Sequence, residues 1–202
     1  MSDGALIVVI DDHESVRSSL RALLEASGLS VKEYASGIAY LEDNGGGDCL
    51  VVDLRMPHMT GLELQQELVK HNSIVPVIVV TGHGDVPLAV AAMRAGAFDF
   101  LEKPFDDDVL LDSIHRALTE GRKVRNSQHE SKAAAALIAA LTSREHEVLD
   151  HLVLGKSNKL IAHELGISPR TVETHRARLQ EKLKARGLSD LVRLTRAVDQ
   201  LH

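Results

Sequence analysis

With 202 residues, of which 44% are hydrophobic and 26% charged, the chain is long enough for one or two domains with proper cores. Aromatic residues make up 2% and Trp is absent, so those cores must be built from Val, Leu, Ile and Ala. A single Cys excludes an intrachain disulfide, no apolar run approaches the ~18 residues of a membrane span, and Met-Ser-Asp-Gly at the start carries no signal-like pattern; a soluble cytoplasmic protein is expected.

The net charge of −6 conceals an asymmetry. Residues 1–122 carry nine basic and twenty acidic residues, a net of −11, whereas 123–140 carry +2 and 141–202 carry +3. An acidic region joined to a mildly basic one predicts two domains, with the second better suited to a polyanion.

The first region alternates apolar runs with helical patterns, which predicts βαβ units. Ala5 to Ile10 is a strand ending in Asp11-Asp12. Val16, Leu20, Leu23 and Leu24 follow at helical spacing until Gly28. Ser30 to Tyr34 is a more polar edge strand, and Ser36 caps a short helix ending near Asp43. Cys49 to Val52 has the β-branched content of a strand buried on both faces and ends in Asp53; Cys49 reads as a small core residue. Leu62, Leu64, Leu68 and Val69 mark a helix. Val75 to Val80 is a strand ending in Thr81, Val86 to Ala95 a helix closed by Gly96, and Phe98 to Leu101 a strand followed by Glu102-Lys103-Pro104. A fifth helix opens at Asp106-Asp107-Asp108 and carries Val109, Leu110, Ile114 and Leu118.

In an open parallel sheet the carboxyl ends of the strands share one edge, where sites are built. Asp11, Asp12, Asp53, Thr81 and Lys103 all fall there. Carboxylates with a backbone carbonyl suit Mg²⁺, a hard cation that keeps several waters. A carboxylate beside that ion can take a phosphoryl group as an aspartyl phosphate, with Lys and a hydroxyl stabilising the transferring oxygens. This set, together with Lys103-Pro104, resembles the receiver domain of bacterial two-component response regulators. The stretch Thr81-Gly82-His83-Gly84-Asp85-Val86-Pro87-Leu88-Ala89-Val90 is similar to the FixJ subfamily. The resemblance implies a flavodoxin-like doubly wound sheet of order 2-1-3-4-5. It implies Asp53 as phosphoacceptor, Mg²⁺ on Asp11, Asp12, Asp53 and the Arg55 carbonyl, Thr81 and Lys103 at the phosphoryl group, and Thr81 with Phe100 as the switch. His83, between glycines, reads as a solvated loop residue rather than a ligand.

Glu120 to Glu130 is charged and without core residues, so 123–140 reads as a linker; Ala133 to Leu141 is helix-prone. From Thr142 the pattern is all-helical. A helix carrying Val148, Leu149 and Leu152 ends at Gly155, and one capped by Ser157 carries Leu160, Ile161 and Leu165 to Gly166. Ser168-Pro169 opens a third, striped by Val172, Leu179 and Leu183, and a final helix spans about 190–198. The turn Leu165-Gly166-Ile167-Ser168 is a helix-turn-helix signature, and Leu141-Thr142-Ser143-Arg144-Glu145 through Val172-Glu173-Thr174-His175 resembles the LuxR/NarL-type output domain. That motif sends the third helix into the DNA major groove. Its predicted outward face is Arg170, Glu173, Thr174, Ala177, Arg178 and Glu181. Thr174 and Ala177 permit close approach to bases. Arg170, Arg176, Arg178, Lys182 and Lys184 are candidates for phosphates, with Thr171 and His175 beside them.

The expectation is a receiver over 1–122, a linker over 123–140 and a DNA-binding domain over 141–202. Together they would form a transcriptional regulator rather than an enzyme. The implied partners are a cognate sensor histidine kinase, double-stranded promoter DNA, a second copy when phosphorylated, and RNA polymerase. Two alternatives stand beside it: a DNA-binding regulator with a vestigial receiver, and an aspartyl-phosphate hydrolase of the haloacid dehalogenase type. The latter looks for a second Asp two residues after the nucleophile, where this chain has Arg55. Gly155-Lys156-Ser157 lacks the first Gly of a phosphate-binding loop, since Asp150 stands there.

Overall fold

Five short strands, the central three rich in Val and Ile, form one parallel sheet in the order β2-β1-β3-β4-β5. The computed structural model describes residues 4–82 and 86–199, and of Val86 the backbone alone. The strands are β1 (Leu6–Ile10), β2 (Ser30–Tyr34), β3 (Cys49–Asp53), β4 (Val77–Thr81) and β5 (Asp99–Glu102). Between them run α1 (Glu14–Ala26), α2 (Gly37–Glu42), α3 (Gly61–Lys70) and α4 (Val86–Arg94), followed by α5 (Asp107–Ala139). His83, Gly84 and Asp85 lie outside the described residues, so the reading of His83 does too.

Side chains alternate across each strand, so the sheet feeds two cores. Ile7, Val9, Val51, Ile78 and Val80 meet Leu20 and Leu24 of α1 and Leu110, Ile114 and Leu118 of α5. Val8, Ile10, Leu50, Val52, Val77 and Val79 meet Tyr40 of α2, Leu64 and Leu68 of α3 and Ala92 of α4. Each fully buried Ile or Leu stabilises the fold by roughly 1.5–3 kcal/mol. Cys49 belongs to the first core, and burial pushes its thiol up to about 12, which keeps it protonated. Val109, expected among the apolar positions of α5, is exposed, and Ala117 takes its place in the core.

The helix ends follow local chemistry. Ser36 accepts a hydrogen bond from the Ala39 N–H and caps α2. Gly28 ends α1 with φ +78°, a value that glycine tolerates best. The charged stretch after Glu120 continues the fifth helix: α5 runs unbroken to Ala139. Lys, Arg, Glu and Gln are good helix formers, so a segment without core residues can still be helix. Glu120 and Lys123 add an i,i+3 pair on that surface.

The chain divides into two compact units, Met1–Val124 and Arg125–His202. The second holds the end of α5, then α6 (Ser143–Val153), α7 (Asn158–Leu165), α8 (Pro169–Lys182) and α9 (Leu188–Asp199). Its core is Leu141, Val148, Leu149, Leu152, Ile161, Val172, Leu179, Leu183 and Leu191. Ser157 and Ser168 cap α7 and α8 through their side chains, Pro169 starts α8, and Gly166 closes α7 in the left-handed region at φ +64°. Among the described residues no helix is long and apolar enough to cross a membrane.

Candidate phosphoacceptor site and nucleic-acid interface

Parallel pairing brings the strand ends to one edge. Ile10 pairs with Val52, so Asp11 and Asp53 emerge side by side from β1 and β3. β4 lies next to β3 and ends in Thr81; β5 follows, and the Lys103 N–H bonds the Thr81 carbonyl at 2.7 Å. Lys103 Nζ then reaches back over the edge to Asp11 Oδ2 at 2.7 Å and Asp53 Oδ1 at 2.8 Å. The other oxygen of Asp53 accepts from the Arg55 N–H at 2.7 Å. Asp11 Oδ1 accepts from the His13 N–H at 2.9 Å, and Arg17 Nη1 donates to the Asp11 carbonyl at 2.8 Å.

One glycine is required by this geometry. A Cβ on Gly61 would stand 2.5 Å from the Asp53 carbonyl oxygen and 3.1 Å from Val52 Cγ1. The first residue of α3 therefore packs directly on the end of β3, behind the Asp53 side chain.

Asp11 is buried, while the carboxyl of Asp53 keeps a side-chain exposure of 11%. Asp53 is thus held but reachable. Burial works against the Lys103 ammonium, yet its hydrogen bonds to Asp11 and Asp53 outweigh that, and its pKa lies above the ordinary lysine value. Among the described residues, two buried polar atoms at this edge have no hydrogen-bond partner: Oδ1 of Asp12 and Oγ1 of Thr81. His13 Nδ1 lies 3.1 Å from Asp12 Oδ1, an ion-pair distance for a protonated imidazole. Ligand atoms of Asp11, Asp12 and His13 all fall within 4.8 Å of one another. Hard carboxylate donors and an orphaned carboxylate oxygen fit a divalent cation such as Mg²⁺, and the unpartnered hydroxyl fits a further oxygen ligand to be bound. Phe100 is half-buried on the face of the second core and pairs in register with Val79, two residues before Thr81. Position 55 supplies a backbone donor to Asp53, and its side chain is no carboxylate that could act as a hydrolase's general acid.

In the second unit, the exposed positions on α8 include Arg170, Glu173, Thr174, Ala177, Arg178 and Glu181, the face expected from periodicity. Thr171, His175 and Arg176 are half-buried. Thr171 Oγ1 bonds Ser168 Oγ at 2.8 Å, Arg176 donates to Asn158 Oδ1 at 3.3 Å, and Thr174 Oγ1 donates to the Arg170 carbonyl at 3.1 Å, leaving its lone pairs outward. Lys182 is exposed as well, at 37%, but its ammonium lies 2.6 Å from Glu145 Oε2.

The profile of the response regulator receiver domain matches residues 7–115, and that of bacterial regulatory proteins of the luxR family matches 139–195. The chain belongs to the two-component response regulators. It is 46% identical over 199 residues to the transcriptional regulatory protein FixJ of Azorhizobium caulinodans, covering 96% of this chain and 93% of that protein. Among solved structures, the response regulator StyR is 39% identical with a TM-score of 0.84, covering 96% of this chain and 99% of that one. Full-length FixJ from B. japonicum is 43% identical with a TM-score of 0.59, covering 98% of each. This response regulator is a DNA-binding transcriptional regulator of the LuxR output class, and its family implies a sensor kinase and DNA as partners.

Three residues of this response regulator's sites were not singled out from sequence. His13 carries a signal, since it directly follows the acidic pair. Arg17 and Gly61 act on backbone carbonyls, those of Asp11 and Asp53, and nothing in their local spacing marks them.

Proposed function

We propose that Asp53 accepts a phosphoryl group from a partner histidine kinase, and that this modification controls how the output unit binds promoter DNA. The observation that carries the reading is the paired grip on the Asp53 carboxylate, with Lys103 Nζ on one oxygen and the Arg55 N–H on the other. In the transfer the carboxylate oxygen forms a bond to phosphorus as the phosphorus–nitrogen bond of the donor phosphohistidine breaks, and the leaving imidazole takes up a proton. Asp11, Asp12, Asp53 and the Arg55 carbonyl would hold Mg²⁺, which supplies charge neutralisation for the transferring oxygens. Lys103 neutralises a further oxygen, and the Thr81 hydroxyl donates to another.

Thr81 and Phe100 couple that event to the face of α4 and β5. A new acceptor oxygen draws the orphaned Thr81 hydroxyl, and the half-buried Phe100 occupies the space left on its side of the sheet. The active form then pairs with a second copy, so that two output units meet two half-sites in the cytoplasm, where RNA polymerase is engaged. Only a ligand or modification that interacts differently with two states can shift them, and the phosphoryl contacts provide that difference. On DNA, Glu173, Thr174 and Ala177 face base edges, and Arg170, Arg178 and Lys184 neutralise phosphates.

The test is labelling with a small phosphodonor. Wild-type protein should take one phosphoryl group when Mg²⁺ is present, and Asp53→Asn should take none. Undiminished labelling of Asp53→Asn would sink the assignment.

A further inference from the structure

Glu145 is the one buried charged side chain of the output unit among the described residues, at 3% exposure. It stands third in α6, where a capping box forms. Thr142 N–H donates to Glu145 Oε2 at 2.8 Å, and the Glu145 N–H donates to Thr142 Oγ1 at 3.3 Å. The same local box at Thr60 and Glu63 opens α3, and there the carboxylate is exposed to solvent. The difference at α6 is Lys182. Its Nζ lies 2.6 Å from the same Oε2 and 3.5 Å from the Ala140 carbonyl oxygen. One ammonium in the last turn of α8 thus meets the start of α6 and the chain just after α5. The neighbouring Arg144 reaches the other way: its Nη2 donates to the Leu165 carbonyl at 2.7 Å, at the end of α7, while Nη1 pairs with Glu147.

The first turn of α6 therefore grips both arms of the helix-turn-helix, α7 through Arg144 and α8 through Glu145. A buried carboxylate without its cation is strongly unfavourable, so the arrangement tolerates little drift of the end of α8. We propose that Lys182 is a positioning residue and no phosphate contact: paired with Glu145, it fixes the angle at which α8 presents Glu173, Thr174 and Ala177. The proposal rests on α8 as the DNA-facing helix.

Two roles for Lys182 have opposite signatures. A phosphate contact weakens all sequences alike, and its loss reduces the salt slope by about one. A positioning residue acts on the readout of bases, so its loss lowers the preference for specific over random DNA with the slope intact. The full-length protein is titrated onto a duplex selected from a random library by the wild-type chain, and onto an unselected duplex of equal length, at several salt concentrations below the melting temperature. Lys182→Met and Glu145→Gln should each lower the specific-to-random ratio by about tenfold, the scale of one lost base contact. Neither should change the salt slope on the unselected duplex. Arg178→Ala, on the exposed face, should lower the slope by about one and keep the ratio.

A Lys182→Met variant that loses about one unit of slope with its ratio preserved would overturn the proposal. So would one that melts earlier yet keeps both ratio and slope, since the pair would then serve stability alone. If Lys182→Met does not fold, Glu145→Gln carries the test: it breaks the ion pair, and a specific-to-random ratio that stays at the wild-type value would overturn the proposal. An unchanged slope and affinity in Arg178→Ala would mean that α8 does not face DNA, and both the interface and this proposal would fall together.

Discussion

Lys103 and Asp53 stand 50 residues apart in the chain and 2.8 Å apart in the structure. That single contact depends on the parallel order of β3, β4 and β5, and it places a cation on the carboxylate that the account makes the phosphoacceptor.

The raised pKa of Lys103 has a pH consequence. A group whose folded pKa lies above its unfolded value contributes stability that is fully present below the unfolded pKa, about 10.4, and is lost as pH rises through the folded one. The difference in unfolding free energy between wild type and Lys103→Met should therefore be constant from about pH 8 to pH 10 and shrink above it. Denaturant melts across that range check the sign; a difference that grows with alkalinity would contradict the pairing.

Glu145 works at the other end of the scale. Its hydrogen bond from Lys182, then those from Thr142, hold the carboxyl down to about 2 against an ordinary 4.5. A depressed carboxylate contributes stability that is present above its unfolded pKa and lost as pH falls through the folded one. The output unit should lose stability progressively from about pH 5 down to about pH 2, and Glu145→Gln should flatten that part of the curve. Thermal melts at stepped pH give the comparison.

Gly61→Ala should disturb the acidic site without altering any polar side chain. The added Cβ would meet the Asp53 carbonyl at 2.5 Å, so the turn from β3 to α3 must move. Overpacking of this kind costs about 1–3 kcal/mol. The expected result is a lower denaturant midpoint together with slower phosphodonor labelling; unchanged values of both would show that the turn relaxes freely.

Most of the receiver site was legible in the sequence because a parallel strand announces itself twice. Its apolar run marks it as buried, and the polar residue that ends the run marks the edge of the sheet. Asp11, Asp53, Thr81 and Lys103 each end or follow such a run, and the sheet gathers them. On α8 the period of 3.6 separated Val172 and Leu179 from Arg170, Glu173, Thr174 and Ala177. What the pattern does not carry is the tertiary partner. Lys182 reads as one more basic residue at a helix end, and its partner Glu145 lies 37 residues earlier. Glu145 itself reads as an ordinary capping-box residue, since its burial comes from α8. Nor does the pattern decide how far the fifth helix runs: absence of core residues argues against packing and is silent on helix, and α5 continues to Ala139.

Thr81→Ala should separate acceptance of the phosphoryl group from its consequence. Among the described residues the Thr81 hydroxyl has no hydrogen-bond partner, so removing it costs little in the resting form. The variant should label with a small phosphodonor yet pair poorly. Sedimentation of the labelled protein decides it: dimerisation equal to wild type would rule out the coupling.

Thr174 should govern choice among DNA sequences. Its exposed hydroxyl donates back to the Arg170 carbonyl and keeps its acceptor side outward. Thr174→Ala should alter preference at one or two base pairs by roughly 1–3 kcal/mol each, with little change in the salt slope. Selection of binding sequences with each variant reads this directly; identical selected sequences would remove Thr174 from the interface.

The central claim is that phosphorylation of Asp53 controls DNA binding by pairing two chains. Its most direct test is a binding titration on duplexes with one half-site and with two, for wild type and Asp53→Asn, with and without phosphodonor and Mg²⁺. Treatment should raise wild-type affinity for the paired site far more than for the single one, through the effective concentration of the second output unit, and leave Asp53→Asn unchanged on both. Equal enhancement on the two duplexes, or any enhancement in Asp53→Asn, would contradict it.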